Sequence, residues 1–471
     1  MKVILAGFNV DRASLPPARE GEATPEAIAA AYARISRSPL PTWELREMAR
    51  KDVEKARKSN EKIVFEMGHS SIAEHAVFNI DIIGVSRLLV EEIEKFRLVS
   101  FTEKSQRYCL FQDDFTLPEE LKDSSLADQF IATIRRQQQF YRTAYEQLRS
   151  YLSGLNGGPL SPTLDNAAKE DARYAISLAT HTQLGMTINA RNFELMVRRL
   201  SAHPLAEAQK LGYALFENVH PVAPSLIRYV KPTAYDLRYH RQGEFAGTIP
   251  SQGKPVNLAW FTPDADRRLI AALLYGLNKG SYEECFAQAT KLPKEEGKTI
   301  IKDALRHIQA YDQVRREFEI VELTYDLTVS ASCFAQLKRH RMATIVSQDY
   351  HPALGNTIPP NLLSAGLQEA FLDLIETTNE TYDQILKEAP QAAPYILTNS
   401  HRRRVLLKVN ARELYHMARL RADRHAQWDI RSIVEEMLAC ARNVMPLTLM
   451  LACGRDAFPE AYQSIFSKEE S

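Results

Sequence analysis

Three clusters of polar residues in this chain have the types and spacing for chemistry. Ser100-Phe-Thr-Glu103-Lys-Ser105-Gln-Arg107-Tyr108 sets an acceptor, a hydroxyl and a guanidinium at alternate positions. In an extended segment they share one side, where they could grip a phosphate together with a ribose or base edge. A solvated polar strand edge carries the same residue types. Arg339-His340-Arg341 sets two guanidinium forks around an imidazole, suited to a dianionic phosphate or a polyanionic cofactor, or to a basic surface patch. His401-Arg402-Arg403-Arg404 reads as such a surface patch. The third cluster is Asn410-Ala-Arg412, Arg421 and Ala426-Gln427-Trp428-Asp429-Ile430. On one helix Asn410 and Arg421 lie close to three turns apart and face one cleft. The alternative is an exposed helix face on which Glu413 pairs with nearby arginines.

What is missing narrows the chemistry. No GxGxxG follows a strand and no GxxxxGK[ST] occurs, so a bound flavin would not be held in the Rossmann manner. His69, Glu74 and His75 do not make HExxH, which argues against a metal there. Five cysteines, odd in number and without a CxxC, indicate neither a disulfide framework nor a zinc site and fit a reducing compartment. Lys plus Arg equals Asp plus Glu at 59 each, so no net field draws nucleic acid or an anionic membrane. The amino-terminal apolar run is too short for a signal peptide, and no run is long enough to span a bilayer. The expectation is a cytoplasmic protein.

The elements that must position these clusters occur twice. A strand at the start, a helix after Thr24-Pro25, a helix over 43–67 closed by Gly68, and an alternating strand over 77–85 are followed by long helices near 125–153 and 190–217. A Pro- and Gly-bearing stretch over 230–254 reads as a linker. A strand over 255–261, helices to about 316, a strand-like 317–329 and helices near 365–388 and 411–442 follow. Val85-Ser86 stands as far before Arg97 as Val329-Ser330 before Arg341. Asn189-Ala-Arg191 pairs with Asn410-Ala-Arg412, and Asn218-Val-His-Pro221 with Asn443-Val-Met-Pro446. Ordered polar matches of this kind indicate a tandem duplication. The predicted fold is α+β, with domains at 1–235 and 250–471, each a small sheet with long packed helices.

Together these residues resemble the flavin-dependent thymidylate synthase family, whose signature reads RHRxxSxNExSxRY. It is preceded by an HxSxxEH-like segment and followed by an N-x-R helix start, an arginine and AQWEI. His69-Ser-Ser71-Ile-Ala-Glu74-His75 resembles the upstream segment, Ser100 to Tyr108 the later part of the signature, Arg339-His340-Arg341 its beginning, and Asn410 to Ile430 the downstream helix. The departures are complementary. In the first half the opening Arg-His has become Lys95-Phe96 and the late arginine has become Leu200. In the second half the loop reads Thr344-Ile-Val-Ser-Gln-Asp-Tyr350, the HxSxxEH segment is missing, and Pro394 stands where the first half has Arg173.

The resemblance implies reductive methylation of dUMP to dTMP, with methylenetetrahydrofolate giving the carbon and NADPH-reduced FAD the hydride. It implies Arg421 as the catalytic group that favours the ionised pyrimidine. Glu103, Ser105, Arg107, Arg173, Gln336 and Arg339 would hold the nucleotide. Ser71, Glu103, Arg339, His340, Arg341, Asn410, Arg412 and His416 would hold FAD. Family members are homotetramers with sites between subunits, so a homodimer acting as a pseudo-tetramer is expected, with each live site drawn from unlike halves. Modification of another pyrimidine nucleotide and a non-catalytic flavin- or nucleotide-binding paralogue are the alternatives.

Overall fold

The computed structural model describes residues 1–14, 23–111, 113–157, 161–239, 253–277 and 279–466. The fold is α+β, and the chain forms two compact units, Met1–Thr248 with Pro360–Thr398, and Ile249–Pro359 with Asn399–Ser471. In the first, β1 (Lys2–Phe8), β2 (Val77–Ser86), β3 (Val99–Glu103) and β4 (His181–Asn189) make an antiparallel sheet in the order β1-β2-β4-β3. In the second, β5 (Val256–Phe261), β6 (Glu322–Ser330), β7 (Thr344–Ser347) and β8 (Arg402–Asn410) repeat it as β5-β6-β8-β7.

The alternation of the central strands builds each core. Phe78, Ile80 and Ile82 of β2 are buried, as are Leu323, Tyr325 and Leu327 of β6, because every second side chain leaves a strand on the same face. In β2 the register shifts between Ile83 and Val85, at Gly84 with φ of 68°. That left-handed conformation is one glycine adopts without steric cost. Past it, Val85 and Ser86 are both buried.

The matched polar positions of the two repeats are helix caps. Ser86 accepts from Leu89 N at 3.0 Å and Ser330 from Cys333 N at 2.9 Å. Asn189 accepts from Asn192 N at 2.9 Å and Asn410 from Glu413 N at 2.8 Å. Each side-chain oxygen satisfies an amide that a helix start leaves without an internal partner.

The helices break where the apolar pattern alone runs on. The 43–67 helix is in fact Thr42–Lys51, Val53–Glu61 and a π turn, Lys62–Glu66. Asp52 restarts it by accepting from Lys55 N at 2.9 Å. The 190–217 helix divides into Ala190–Ser201 and Ala206–Val219 around Pro204, which cannot continue the hydrogen-bond ladder. The 411–442 helix divides into Ala411–Arg421 and Trp428–Val444. Of the strand expected over 317–329, the first turn is the 3-10 segment Arg316–Ile320 and pairing begins at Glu322. The 230–254 stretch carries a helix at Ala234–Tyr239, and 240–252 lie outside the described residues.

A helix from the second repeat belongs to the first unit. Gln368–Glu388 packs on Ala127–Asn156 through a hydrogen bond between the Thr133 and Thr381 hydroxyls at 2.9 Å. Gln137 donates to Thr378 Oγ1 at 3.0 Å and to Ile396 O at 2.9 Å, and the Phe140 and Phe371 rings lie 5.7 Å apart.

Candidate functional site

In the second unit, the helix Ala331–Leu337, the turn after it and the helix Ala411–Arg421 bring Gln336, His340 and Arg421 together. Arg421 donates from Nε to His340 Nε2 at 3.1 Å and from Nη2 to Gln336 O at 3.4 Å. His340 Nδ1 lies 3.2 Å from Glu413 Oε1. His340 is 2% exposed, and burial pushes its pKa down, opposed by Glu413 and reinforced by Arg421 and His416. The imidazole is therefore neutral near pH 7. Arg339 and Arg341, on either side of it, are half-buried, and His416 is exposed with its ring 5.7 Å from His340, edge to face.

The AQWDI residues hold this cluster from behind. Gln427 Oε1 accepts from Gln336 Nε2 at 3.4 Å and from the Asp429 and Ile430 amides at the start of Trp428–Val444. Asp429 Oδ2 accepts from Ser330 Oγ at 2.6 Å, tying that helix to the one bearing Gln336. The first unit makes the same tie with Ser86 Oγ and Glu207 at 2.6 Å. Gln427 and Asp429 stood in the third sequence cluster and Glu413 beside it, but the sequence assigned none of them a partner in this site. Their signal was an acidic or amide residue on an otherwise apolar helix face.

Two expectations and one alternative for the second unit need correcting. Asn410 does not face a cleft with Arg421: its side-chain oxygen caps the helix whose far end carries Arg421. Glu413 pairs with His340, not with an arginine. The 401–404 run is no surface patch, since it opens β8 with His401 and Arg403 buried. The Arg403 guanidinium lies over the Phe334 and Tyr350 rings at 4.6 and 4.2 Å, and its Nε donates to Gln348 O at 2.7 Å.

In the first unit the extended segment ends at Glu103, and a turn follows. Ser105 Oγ accepts from Arg107 N at 3.2 Å, so the three residues do not line one strand edge. Glu103 Oε1 accepts from Thr182 Oγ1 at 3.2 Å and lies 3.6 Å from the buried Arg87 Nη1. Arg107 and Arg173 nonetheless converge on one residue. Arg107 Nε donates to the Glu170 carboxylate and Arg173 Nε to the Glu170 carbonyl at 3.3 Å. Arg173 is 4% exposed. Burial lowers its pKa, Glu170 opposes this, and Arg107 and Arg87 add to it. Arg87 is thus a third cation of this cluster that sequence reasoning missed. A small cavity of about 130 Å³ opens beside it, lined by Ser105, Lys104, Thr182 and His181 among others.

Ser71 lies apart from this cluster, exposed in the 3-10 turn Ser70–His75. Glu74 of that turn accepts from Arg191 at 2.5 Å. In the second unit Arg412 donates to Glu319 at 2.7 Å, to Val314 O at 2.9 Å and to Gln313 at 2.6 Å. The arginine of each N-x-R start is thus pinned by a glutamate from the 3-10 turn before the central strand. The upstream motif has gone from the second repeat, but its ion pair has been kept.

The degenerate positions are filled by structure. Leu200, in the place of Arg421, is buried core. Arg199 reaches Asp236 Oδ1 at 3.3 Å. Lys95, in the place of Arg339, pairs with Glu92 at 2.6 Å, and Glu92 stands where the second repeat has Gln336. Cys333, the thiol nearest this cluster in sequence, is buried, and burial pushes its pKa well above the ordinary value, so it supplies no thiolate.

Comparison with known proteins agrees with the repeat. The family model described as thymidylate synthase complementing protein matches twice, over residues 21–225 and 258–447. A UPF0159 protein of Chlamydia pneumoniae is 25% identical over 415 residues, covering 81% of this chain and 77% of that protein. A UPF0159 protein of Thermoplasma acidophilum is 22% identical, covering 88% and 93%. A flavin-dependent thymidylate synthase of Clostridium tetani is 30% identical over 214 residues, 44% of this chain and 83% of that enzyme. The solved structure of thymidylate synthase X from Helicobacter pylori, with FAD and dUMP, aligns at a TM-score of 0.33 and 19% identity, over 50% of this chain and all of that one. With the family model matched over most of its length in two successive segments, the chain belongs to the thymidylate synthase complementing protein family as a tandem pair of its domains.

Proposed function

We propose that this protein is a cytoplasmic, FAD-dependent thymidylate synthase that reductively methylates dUMP to dTMP, in a site to which the two repeats contribute unlike residues. Methylenetetrahydrofolate is the carbon donor and NADPH the reductant. The observation that supports this most is the division of intact groups. Arg421, Gln336, Arg339 and His340 survive only in the second repeat, while Ser105, Arg107 and Arg173 survive only in the first. A homodimer of such chains rebuilds a tetrameric arrangement with two live sites.

In this reading Arg107, Arg173 and Ser105 bind the nucleotide phosphate, and Gln336 and Arg339 hold the remainder. Arg421 stabilises negative charge on the pyrimidine as N3 passes its proton to solvent, which makes C5 nucleophilic without attack by a cysteine. A guanidinium already oriented by His340 and Gln336 needs little reorganisation as that charge develops.

The donor set fits a diphosphate-bearing flavin. Arg339, Arg341, Arg412 and the Asn410 amide are N–H donors, joined by Ser71 and His416, with Glu103 as an acceptor for a hydroxyl or ring N–H. Val314 O, Glu319 and Gln313 take three of the five Arg412 N–H donors, which leaves two for a ligand. When bound, FAD supplies the hydride that completes the methyl group. His340 sits between Arg421 and Glu413, so it contributes there to the protein's own geometry.

A second reading, modification of another pyrimidine nucleotide, draws on His416, an exposed imidazole beside His340. Expression in a thymidine auxotroph tests the first. Growth without thymidine, with flavin absorption in the purified protein, is the expected result. Failure to rescue by a soluble, flavin-loaded protein contradicts it and favours the second.

A further inference from the structure

We propose that Glu413 and His340 are positioning residues that fix the guanidinium of Arg421, with His340 held as the neutral Nδ1–H tautomer. The inference rests on the reading above for what Arg421 acts on, but the tautomer and the chain of contacts stand on their own geometry. An arginine Nε–H can only donate. At 3.1 Å from His340 Nε2 it requires a lone pair on that nitrogen. A neutral imidazole then carries its proton on Nδ1, which faces the Glu413 carboxylate at 3.2 Å, a group that accepts. Both ring nitrogens are thereby satisfied, as a side chain only 2% exposed requires.

The groups that face His340 enforce this state. Burial disfavours a second proton most, and Arg421 and His416 act in the same direction, against the Glu413 carboxylate, which favours it. Protonating the ring would set an N–H against the Arg421 N–H. Reversing the tautomer would do the same and would also point a lone pair at Glu413. Glu413 thus determines, through His340, where the Arg421 guanidinium points, and the Gln336 carbonyl at 3.4 Å provides its second anchor.

The same residues read differently as a cation site. Ligand atoms of His340, Glu413 and His416 all lie within 4.8 Å of one another. A metal on His340 Nδ1 would push the ring proton to Nε2, against the Arg421 N–H, and would add positive charge beside a guanidinium. Both consequences oppose binding.

The test uses the full chain. With nitrogen-15-labelled histidine, the His340 signals, assigned with His340→Gln, should show a protonated Nδ1 and a lone pair on Nε2 at neutral pH. Addition of Zn²⁺ should leave them unchanged. Calorimetry with dUMP and UMP should show nucleotide affinity falling roughly tenfold in Glu413→Ala, with the His340 signature lost. Glu413→Gln, which keeps an acceptor oxygen, should bind within about threefold of the parent. A doubly protonated or Nε2–H ring overturns the proposal, as does a zinc-dependent shift of these signals. Glu413→Ala that melts earlier yet binds nucleotide like the parent also overturns it, leaving Glu413 a purely structural role. A parent chain with the expected tautomer that binds neither nucleotide overturns the substrate reading and leaves the Glu413–His340–Arg421 chain standing.

Discussion

Arg421 and Arg107 are each held by a carboxylate system, but in different ways. Arg107 contacts Glu170 directly, whereas Arg421 reaches Glu413 only through a neutral imidazole. A neutral imidazole orients the guanidinium through Nε, which suits a group that must stabilise charge developing on a ligand. The intermediary has a thermodynamic consequence. The folded pKa of His340 lies below its ordinary value of 6.5, so the unfolded chain binds the proton more readily. The stability contributed by the buried neutral ring is complete above that value and is lost as pH falls below it. Urea unfolding from about pH 7.5 down to about pH 5 should therefore show a steeper loss in the parent than in His340→Gln. The difference should reach at most about 1.4 kcal/mol per pH unit for one proton. Parallel curves would mean that His340 titrates normally in the fold. At this scale the sequence revealed which residue types were unusual, but not their partners. Asn410 and Ser330 stood out as polar matches between repeats, yet their caps show only once the helix starts are placed. Glu413 was visible beside arginines, but which side of its helix faced inward depended on an imidazole in another element.

Elements carry these contacts over distance. Arg421 ends one helix, and the position of that end is set partly by Gly454, where a β-carbon would collide with the Ala422 carbonyl. Glycine permits this approach of two backbones. Gly454→Ala should lower unfolding free energy by about 1–3 kcal/mol, the usual cost of overpacking. It should also weaken dUMP binding although it touches no ligand, because Ala422 follows Arg421 directly. Denaturant unfolding and calorimetry check this, and a variant as stable as the parent would contradict the contact. The strands at 77–85 and 255–261 were legible within a residue or two, whereas β4, β7 and β8 were not read from the sequence. The helix breaks were harder to read. Pro204 is an overt signal inside 190–217, while Asp52 interrupts 43–67 through a local side-chain cap that a hydrophobic pattern does not register.

For the molecule as a whole, repeat and compact unit are not coextensive. Pro360–Thr398, from the second repeat, packs with the first unit, through Thr133 and Thr381, Gln137 and Thr378, and the Phe140 and Phe371 rings. Duplication was legible from ordered motif matches, but this exchange was not, because both repeats have an amphipathic helix at that position and one apolar stripe fits another. In the proposed function every live site needs groups from both repeats. Tritium release from 5-tritiated dUMP should be measured for the parent and for Arg107→Glu and Arg421→Glu made separately, each variant first shown to fold by its melting curve. The account predicts that either change alone removes nearly all release. Retention of half or more of the parental rate by either folded variant would contradict it.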